Sequence, residues 1–342
     1  MAIPNVSKEE EDSSSTQPQP QVGKNNKQQL FKMIALDLDG TLLNSNHQIS
    51  DNSVTYLRYL HERGIVICIA TGRSAYATAE IIHKLDFHYD NDNCNHVGFP
   101  LVCFNGARGL NVQKGEEGGL LSSSSSSIAK NPMMDGRLKI TELFHNHVPL
   151  NLTIKTLQFA KSIGCVTNYY IDHDIYAQPV VDWHHEATQK YTHLTGVKYT
   201  FCNDDYKGAI DRGLPSKLLI LCKEDDIDNV YRKTAEYFKD EAMVIRGSPP
   251  FFVEILKNDV CKGNGLEKMC KSLGIGLEEC ISFGDGNNDV EFIEKSGFGI
   301  AMKNAVDTLK SVADGITEYS NNDDGVIYTL KQLEERGKLQ LY

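Results

Sequence analysis

The sequence predicts an open α/β fold: a mostly parallel sheet flanked by helices, interrupted by an inserted α+β domain. Three observations in the 342 residues carry that reading. Short apolar runs alternate with helix-period segments over 32–107 and again from about 262. The best-defined runs end in small polar clusters. Between the two stretches strands and helices mix without that rhythm.

Lys32-Met-Ile-Ala-Leu36 is the first run, and it ends in Asp37-Leu38-Asp39-Gly40-Thr41. A short, continuous apolar stretch meeting a Gly-containing loop reads as a parallel strand buried on both faces. Ser50 can cap a helix with Val54, Leu57 and Leu60 on one face, and Gly64 ends it. Ile65–Ala70 is a second strand, ending in Thr71-Gly72-Arg73, and a helix follows over about 74–85. Leu101–Phe104 is a third strand, ending in Asn105-Gly106.

The rhythm then breaks. Residues 108–137 hold five glycines and six consecutive serines, Ser122 to Ser127, and read as a low-complexity loop. The inserted α+β domain is expected over 138–255, with strands at Lys217–Cys222 and Phe251–Leu256 and a helix over about 225–239. The open α/β pattern then resumes with an amphipathic helix over 263–273. A strand at Cys280–Phe283 runs into Gly284-Asp285-Gly286-Asn287-Asn288-Asp289. A short helix through Val290 and Ile293, a strand at Phe298–Ala301 and a helix over roughly 304–312 complete it. The first domain is therefore in two pieces, 29–107 and 256–342, and residues 1–28 read as a disordered, polar and acidic tail.

Composition excludes several classes. The formal net charge is −11, with no basic stripe, which disfavours nucleic-acid binding. No apolar run approaches the ~18–20 residues of a membrane span. The nine cysteines lack any C-x-x-C spacing and read as reduced residues of a cytoplasmic protein. No Cys/His spacing supports a zinc site at His145 and His147, or at His184, His185 and His193. The N-terminus lacks the apolar core of a secretory signal.

Ligands in open parallel sheets bind outside the carboxyl ends of the strands. Four polar clusters fall at or near that edge: Asp37/Asp39, Thr71-Gly72, Lys262 and Asp285/Asn288/Asp289. The carboxylates suit a hard cation such as Mg²⁺. Thr71, the Gly72 amide and Lys262 suit a phosphoryl group. Asp37 stands where a nucleophile would, able to form an aspartyl-phosphate. Asp39 could protonate a leaving alcohol and later deprotonate water, a role that needs its pKa raised toward the working pH. Each cluster alone is an ordinary turn or helix start; the four in this order, each beside an expected strand or helix, are the specific signal.

That ordered set resembles the haloacid dehalogenase-like hydrolase superfamily. Asp37-Leu-Asp-Gly-Thr-Leu-Leu43 is similar to its first motif, Thr71 of Thr-Gly-Arg to its second, Lys262 of Val-Cys-Lys-Gly to its third and Gly284–Asp289 to its fourth. The late insertion, Asn105-Gly106, Ala301–Ala305 and Asp324-Gly325-Val326 resemble the Cof-like group, whose inserted domain is a cap. Lys303 departs from the glycine usual there.

The resemblance implies a Rossmann-like core and a Mg²⁺-dependent phosphatase with Asp37 and Asp39 catalytic. Mg²⁺ would meet the Asp37 and Asp285 side chains and the Asp39 carbonyl, with Asp289 supporting through water. Thr71, Gly72, Lys262 and Asn288 would hold phosphate, and Arg73, Asn105 and Gly106 would contact substrate. The cap would select the substrate, with His145, His147, Asp172, Tyr176, His184, His185 and Arg246 as candidates. The expected partner is a small phosphorylated metabolite, a sugar phosphate by analogy, and the expected state a monomer or weak homodimer. Asp39 separates this reading from haloacid dehalogenases proper, which lack that second aspartate. A phosphohexomutase similar to the phosphomannomutases, and a non-catalytic phosphometabolite sensor, are the alternatives.

Overall fold

The computed structural model describes residues 30–86, 98–115, 137–247 and 249–342. The expected tail and the serine run lie outside the described residues. The first half of the core contains β1 (Met33–Leu36), α1 (Asp51–Glu62), β2 (Val66–Ala70), α2 (Ala75–Leu85), β3 (Phe99–Cys103), β4 (Arg108–Lys114) and β5 (Leu138–His145). The inserted part contains α3 (Leu150–Ser162), β6 (Val166–Ile171), β7 (Asp174–Ala177), α4 (Asp182–Thr195), β8 (Tyr199–Phe201) and α5 (Lys207–Arg212). It continues through β9 (Leu218–Leu221), α6 (Ile227–Tyr237), β10 (Ala242–Arg246) and β11 (Phe252–Lys257). The chain then returns through α7 (Lys262–Leu273), β12 (Cys280–Gly284), α8 (Val290–Lys295), β13 (Phe298–Ala301), α9 (Asp307–Lys310), β14 (Gly315–Ile316) and α10 (Gly325–Glu335).

The core sheet has eight strands in the order β14-β13-β12-β1-β2-β3-β4-β5. The six strands from β14 to β3 are parallel, and β4 and β5 add on antiparallel. All four residues of β1 are buried, as strands covered on both faces must be. Two sequence pieces meet at the centre of this sheet, because Met33–Leu36 pairs with both Val66–Ile69 and Cys280–Phe283. The reversal of strand order beside β1 is where such sheets place their ligands.

Local signals explain the helix ends. Ser50 Oγ accepts from the Ser53 amide at 2.9 Å and starts α1. Gly64, at φ +90°, follows the helix. Lys262 opens α7, and the next residue must be small: a Cβ on Gly263 would lie 2.4 Å from the Glu291 carbonyl oxygen. That close approach seats the lysine against the sheet.

The loop expected over 108–137 begins instead as a strand. Arg108–Lys114 pairs antiparallel with β3, and Leu138–His145 pairs with β4, so both belong to the core sheet. Leu110 and Val112 are buried, and this alternation was hidden beside Gly-rich sequence. The second sheet, β10-β11-β9-β6-β7-β8, therefore starts at Val166. The helix expected over 304–312 shrinks to Asp307–Lys310. Lys303 is exposed, so its departure from glycine meets only solvent. The eight described cysteines are all free, five of them buried. No helix among the described residues is long and apolar enough to cross a membrane.

Candidate active site

β1 and β12 are neighbours, so the residues leaving their carboxyl ends meet. Asp37 follows β1 and is 5% exposed. Asp285 follows β12, and Asp289 lies at the start of the helical turn beyond it, fully buried. One carboxylate oxygen from each of Asp37, Asp285 and Asp289 lies within 4.8 Å of the others. Lys262 Nζ reaches in from the start of α7, 2.5 Å from Asp37 Oδ1 and 2.7 Å from Asp289 Oδ1. It is 1% exposed.

Ionised together, three carboxylates against one ammonium would leave two negative charges in a buried space, which is the charge a divalent cation neutralises. An all-oxygen donor set suits a hard ion rather than a thiophilic one. The loop is shaped to fit: Gly40 has φ +78°, and a Cβ there would come 2.3 Å from Asp285 Oδ2. Thr41 Oγ1 donates to Asp285 Oδ1 at 3.1 Å. Asp289 Oδ2 accepts from the Asp285 and Gly286 amides at 3.0 and 2.9 Å, which fixes the loop that aims Asp285.

The electrostatics follow from the crowding. Burial pushes the Asp37 carboxyl well up, against the pull of Lys262, and Asp289 and Asp285 add to the rise. Asp285 is pushed up to about 6 by burial and then by Asp289. Burial opposes the charge on Lys262, but Asp289 and Asp37 outweigh it and hold the ammonium protonated.

Asp39 is elsewhere. Its carboxylate turns to Arg73, whose Nε donates to Oδ2 at 2.7 Å and whose Nη2 donates to Oδ1. His47 Nδ1 lies 2.9 Å from the same Oδ1. Burial works to raise this carboxyl, but Arg73 first and then His47 overcome it and hold it below its ordinary value. The expectation of a raised pKa at Asp39 is thus corrected; a bidentate guanidinium was not legible in the motif.

The second loop, after β2, is placed by backbone bonds to the third. The Thr71 amide donates to Val102 O at 2.9 Å, and the Asn105 amide donates to Thr71 O at 3.0 Å. Thr71 Oγ1 accepts from the Arg73 amide at 3.2 Å. Asn288 Nδ2 donates to Asn105 Oδ1 at 3.0 Å, and Asn105 packs over Gly72. Gly106 follows at φ +101°. Asp37, Lys262, Asp285 and Asp289 thus converge directly, and Thr71, Gly72, Asn105 and Asn288 form an adjoining shelf. Arg73 meets Asp39 at its edge.

A family model for haloacid dehalogenase-like hydrolases matches residues 34–120 and 139–330.

The chain belongs to that family.

Within the haloacid dehalogenase-like hydrolases, it is 27% identical over 307 residues to the 5-amino-6-(5-phospho-D-ribitylamino)uracil phosphatase YitU of Bacillus subtilis, covering 88% of this chain and 96% of that protein. It is 27% identical over 306 residues to the phosphatase YwpJ of the same organism, covering 89% of this chain and 100% of that one. The crystal structure of a haloacid dehalogenase-like hydrolase from Bacteroides thetaiotaomicron superposes with a TM-score of 0.68 at 26% identity, covering 89% of this chain and 99% of that one. The α/β class and the Cof-like resemblance agree with these relatives, and the named phosphatases among them are phosphoric monoester hydrolases.

The candidate cap residues scatter. His145 lies on β5 of the core sheet, with Nε2 2.8 Å from Ser216 Oγ and its ring 3.6 Å from that of His147. Asp172 pairs with Arg108 at 2.6 Å. Tyr176 packs in the cap's own core, and His184 is buried with Nε2 2.9 Å from Gly164 O. His185 sits edge-on to Phe201, and Arg246 pairs with Asp228 at 2.8 Å. Tyr176 and His184 are thus engaged inside the cap, and His185 and Arg246 in exposed contacts on it. Lys217 and Glu254 were missed: they are buried on the cap and touch the shelf. A lysine and a glutamate inside apolar strand runs were the available signal.

Proposed function

We propose that this haloacid dehalogenase-like hydrolase is a Mg²⁺-dependent phosphatase of a small phosphorylated metabolite, working through an aspartyl-phosphate on Asp37. One observation carries the reading: buried Lys262 bridges Asp37 and Asp289 with Asp285 alongside. Asp37 and Asp285, supported by Asp289, would hold Mg²⁺. When bound, the ion supplies charge that offsets the repulsion between a carboxylate and an incoming phosphate.

An Asp37 oxygen attacks phosphorus, and the bond from phosphorus to the leaving oxygen breaks. The incoming phosphoryl group draws Arg73 away from Asp39, whose carboxyl then takes up a proton from solvent and gives it to that oxygen. Asp39, left ionised by that transfer, takes a proton from water as the water oxygen attacks the phosphorus of the aspartyl-phosphate. The bond to Asp37 breaks and phosphate leaves. Lys262 keeps Asp37 aimed and lowers the cost of its charge. Thr71, the Gly72 amide and Asn288 bind the phosphoryl oxygens, each such contact typically contributing about 2.7–4 kcal/mol in the transition state. Arg73, Asn105 and Gly106 line the approach of the substrate.

A sugar phosphate or similar ester is the proposed substrate class. The phosphoribityl group in the name of the relative YitU is a sugar-alcohol phosphate and supports that class. The test is a phosphate-release screen over metabolite esters with Mg²⁺, ranked by kcat/KM and including that ribityl ester and hexose 1-phosphates. Release from a sugar or sugar-alcohol phosphate is expected. Conversion of a hexose 1-phosphate to its isomer without release would replace this reading with a mutase. Tight ester binding without any turnover would replace it with a sensor.

A further inference from the structure

Two buried charges of opposite sign sit where the cap meets the phosphate shelf, and neither belongs to a motif. Lys217 immediately precedes β9 and Glu254 lies on β11; they are 3% and 8% exposed. Lys217 Nζ and Glu254 Oε1 are 3.1 Å apart. A buried ion pair adds little stability by itself, because desolvation offsets its attraction. Where its remaining hydrogen bonds go is therefore informative, and they go to the core. Lys217 Nζ donates to Gly72 O at 3.2 Å, and Glu254 Oε2 accepts from Asn105 Nδ2 at 3.2 Å. Asn105 in turn accepts from Asn288 through Oδ1. Two cap charges thus touch the loop after β2 directly and the loop after β12 through a single asparagine.

The segment they hold is strained. Phe104, Asn105 and Gly106 follow one another at φ of 52°, 53° and 101°. A bulky side chain such as Phe104 is an outlier there, and such residues persist only where their surroundings over-determine them. Cap side chains supply part of those surroundings. The Tyr170 ring meets Phe104 edge-on at 5.7 Å. The Lys217 ammonium lies 5.5 Å from the Phe104 ring centroid and 5.3 Å from that of Tyr170.

We propose that Lys217 and Glu254 are positioning residues, a clasp that makes the geometry of the phosphate shelf depend on the position of the cap. Lys217 stands one residue before β9 and Glu254 lies on β11, and the two strands are hydrogen-bonded neighbours. The two side chains stay paired with each other when the cap lifts, while the bonds to Gly72 and Asn105 break and the strained turn loses its grip. Phosphate is then held in line with Asp37 only under a closed cap. The kinetic consequence rests on the phosphatase reading; the structural one does not.

The test uses the full chain with Mg²⁺ and p-nitrophenyl phosphate, together with hydrogen exchange of the Phe104 and Asn105 amides. These amides donate to Arg73 O and Thr71 O. In Lys217→Met and in Glu254→Gln, kcat should fall about ten- to hundredfold, the scale expected of a slightly misplaced reacting group. The two amides should exchange faster, while Lys161→Ala, which breaks the exposed ion pair to Asp205, should change neither. The inverted pair Lys217→Glu/Glu254→Lys decides between a clasp and a plain ion pair. It restores attraction within the cap but turns a carboxylate toward Gly72 O and an ammonium toward the Asn105 amide. The melting temperature should recover relative to either single charge reversal, and kcat should not.

Recovery of kcat together with the melting temperature would overturn the clasp, as would single variants with wild-type kcat and exchange. Should Lys217→Met not fold, the nearly isosteric Glu254→Gln carries the same readouts. If the wild type releases no phosphate from any ester, the phosphatase reading fails, and the amide exchange still decides the clasp.

Discussion

Asp37 and Asp39 stand two residues apart and occupy opposite surroundings. The floor of the site, around Asp37, is buried and crowded with carboxylates, and burial there pushes acids up. The mouth, around Asp39, is wet enough to leave that side chain 42% exposed, and Arg73 and His47 push it down. The difference teaches that the two aspartates of one short motif are separated by a turn. Had β1 continued, residues 37 and 39 would share a face. Instead the chain reverses at Gly40, where Leu43 N returns to Leu38 O at 2.8 Å and Asp39 swings to the rim.

The largest effect should come from the floor. Asp37→Asn keeps the shape and removes the attacking charge, so kcat should drop by at least about a thousandfold with a nearly unchanged melting temperature. Wild-type turnover in that variant would move the chemistry to the mouth and break the contrast. Next comes the cation. EDTA should silence activity and Mg²⁺ restore it. Calorimetry on the metal-free protein should find affinity falling up to about tenfold per pH unit below about pH 6, where Asp285 takes up its proton. Affinity that stays flat to pH 5 would mean Asp285 is not a ligand.

At the mouth, Arg73→Ala should raise the Asp39 pKa and move the alkaline limb of the kcat/KM profile to higher pH, because less Asp39 is then ionised. A limb that stays put would separate Arg73 from the acid–base step. The smallest effect is on stability in chelator, and its sign differs between the two regions. Asp285, raised from its ordinary 3.8 to about 6, stabilises the fold fully below 3.8 and loses that contribution as pH rises through about 6. Asp39, lowered from 3.8, contributes above that value and loses the contribution as pH falls through its lower folded value. Asp285→Asn should therefore remove a fall in melting temperature between about pH 3.8 and 6, and Asp39→Asn a rise with pH below 3.8; slopes of the same sign would sink the comparison.

The strand exits were legible because each combines a buried run with a polar stop. Met33–Leu36 with Asp37 and Cys280–Gly284 with Asp285 could be read from composition alone. β4 was not, since Arg108–Lys114 carries few apolar residues and leads into low-complexity sequence. Lys217 and Glu254 escaped notice because each looked like a single charge in an apolar strand, 37 residues from its partner.

Local chemistry by itself determined where the buried parallel strands of the core run, where they stop and which side chains wait at their ends, since burial and turn formation act over a few residues. Only the tertiary structure decided which of those side chains meet. It aimed Asp37 at a buried lysine and Asp39 at an arginine, and it laid two cap charges on the phosphate shelf. Such pairings depend on how loops turn and on what distant strands bring alongside, and desolvation by those neighbours sets the charge each group carries.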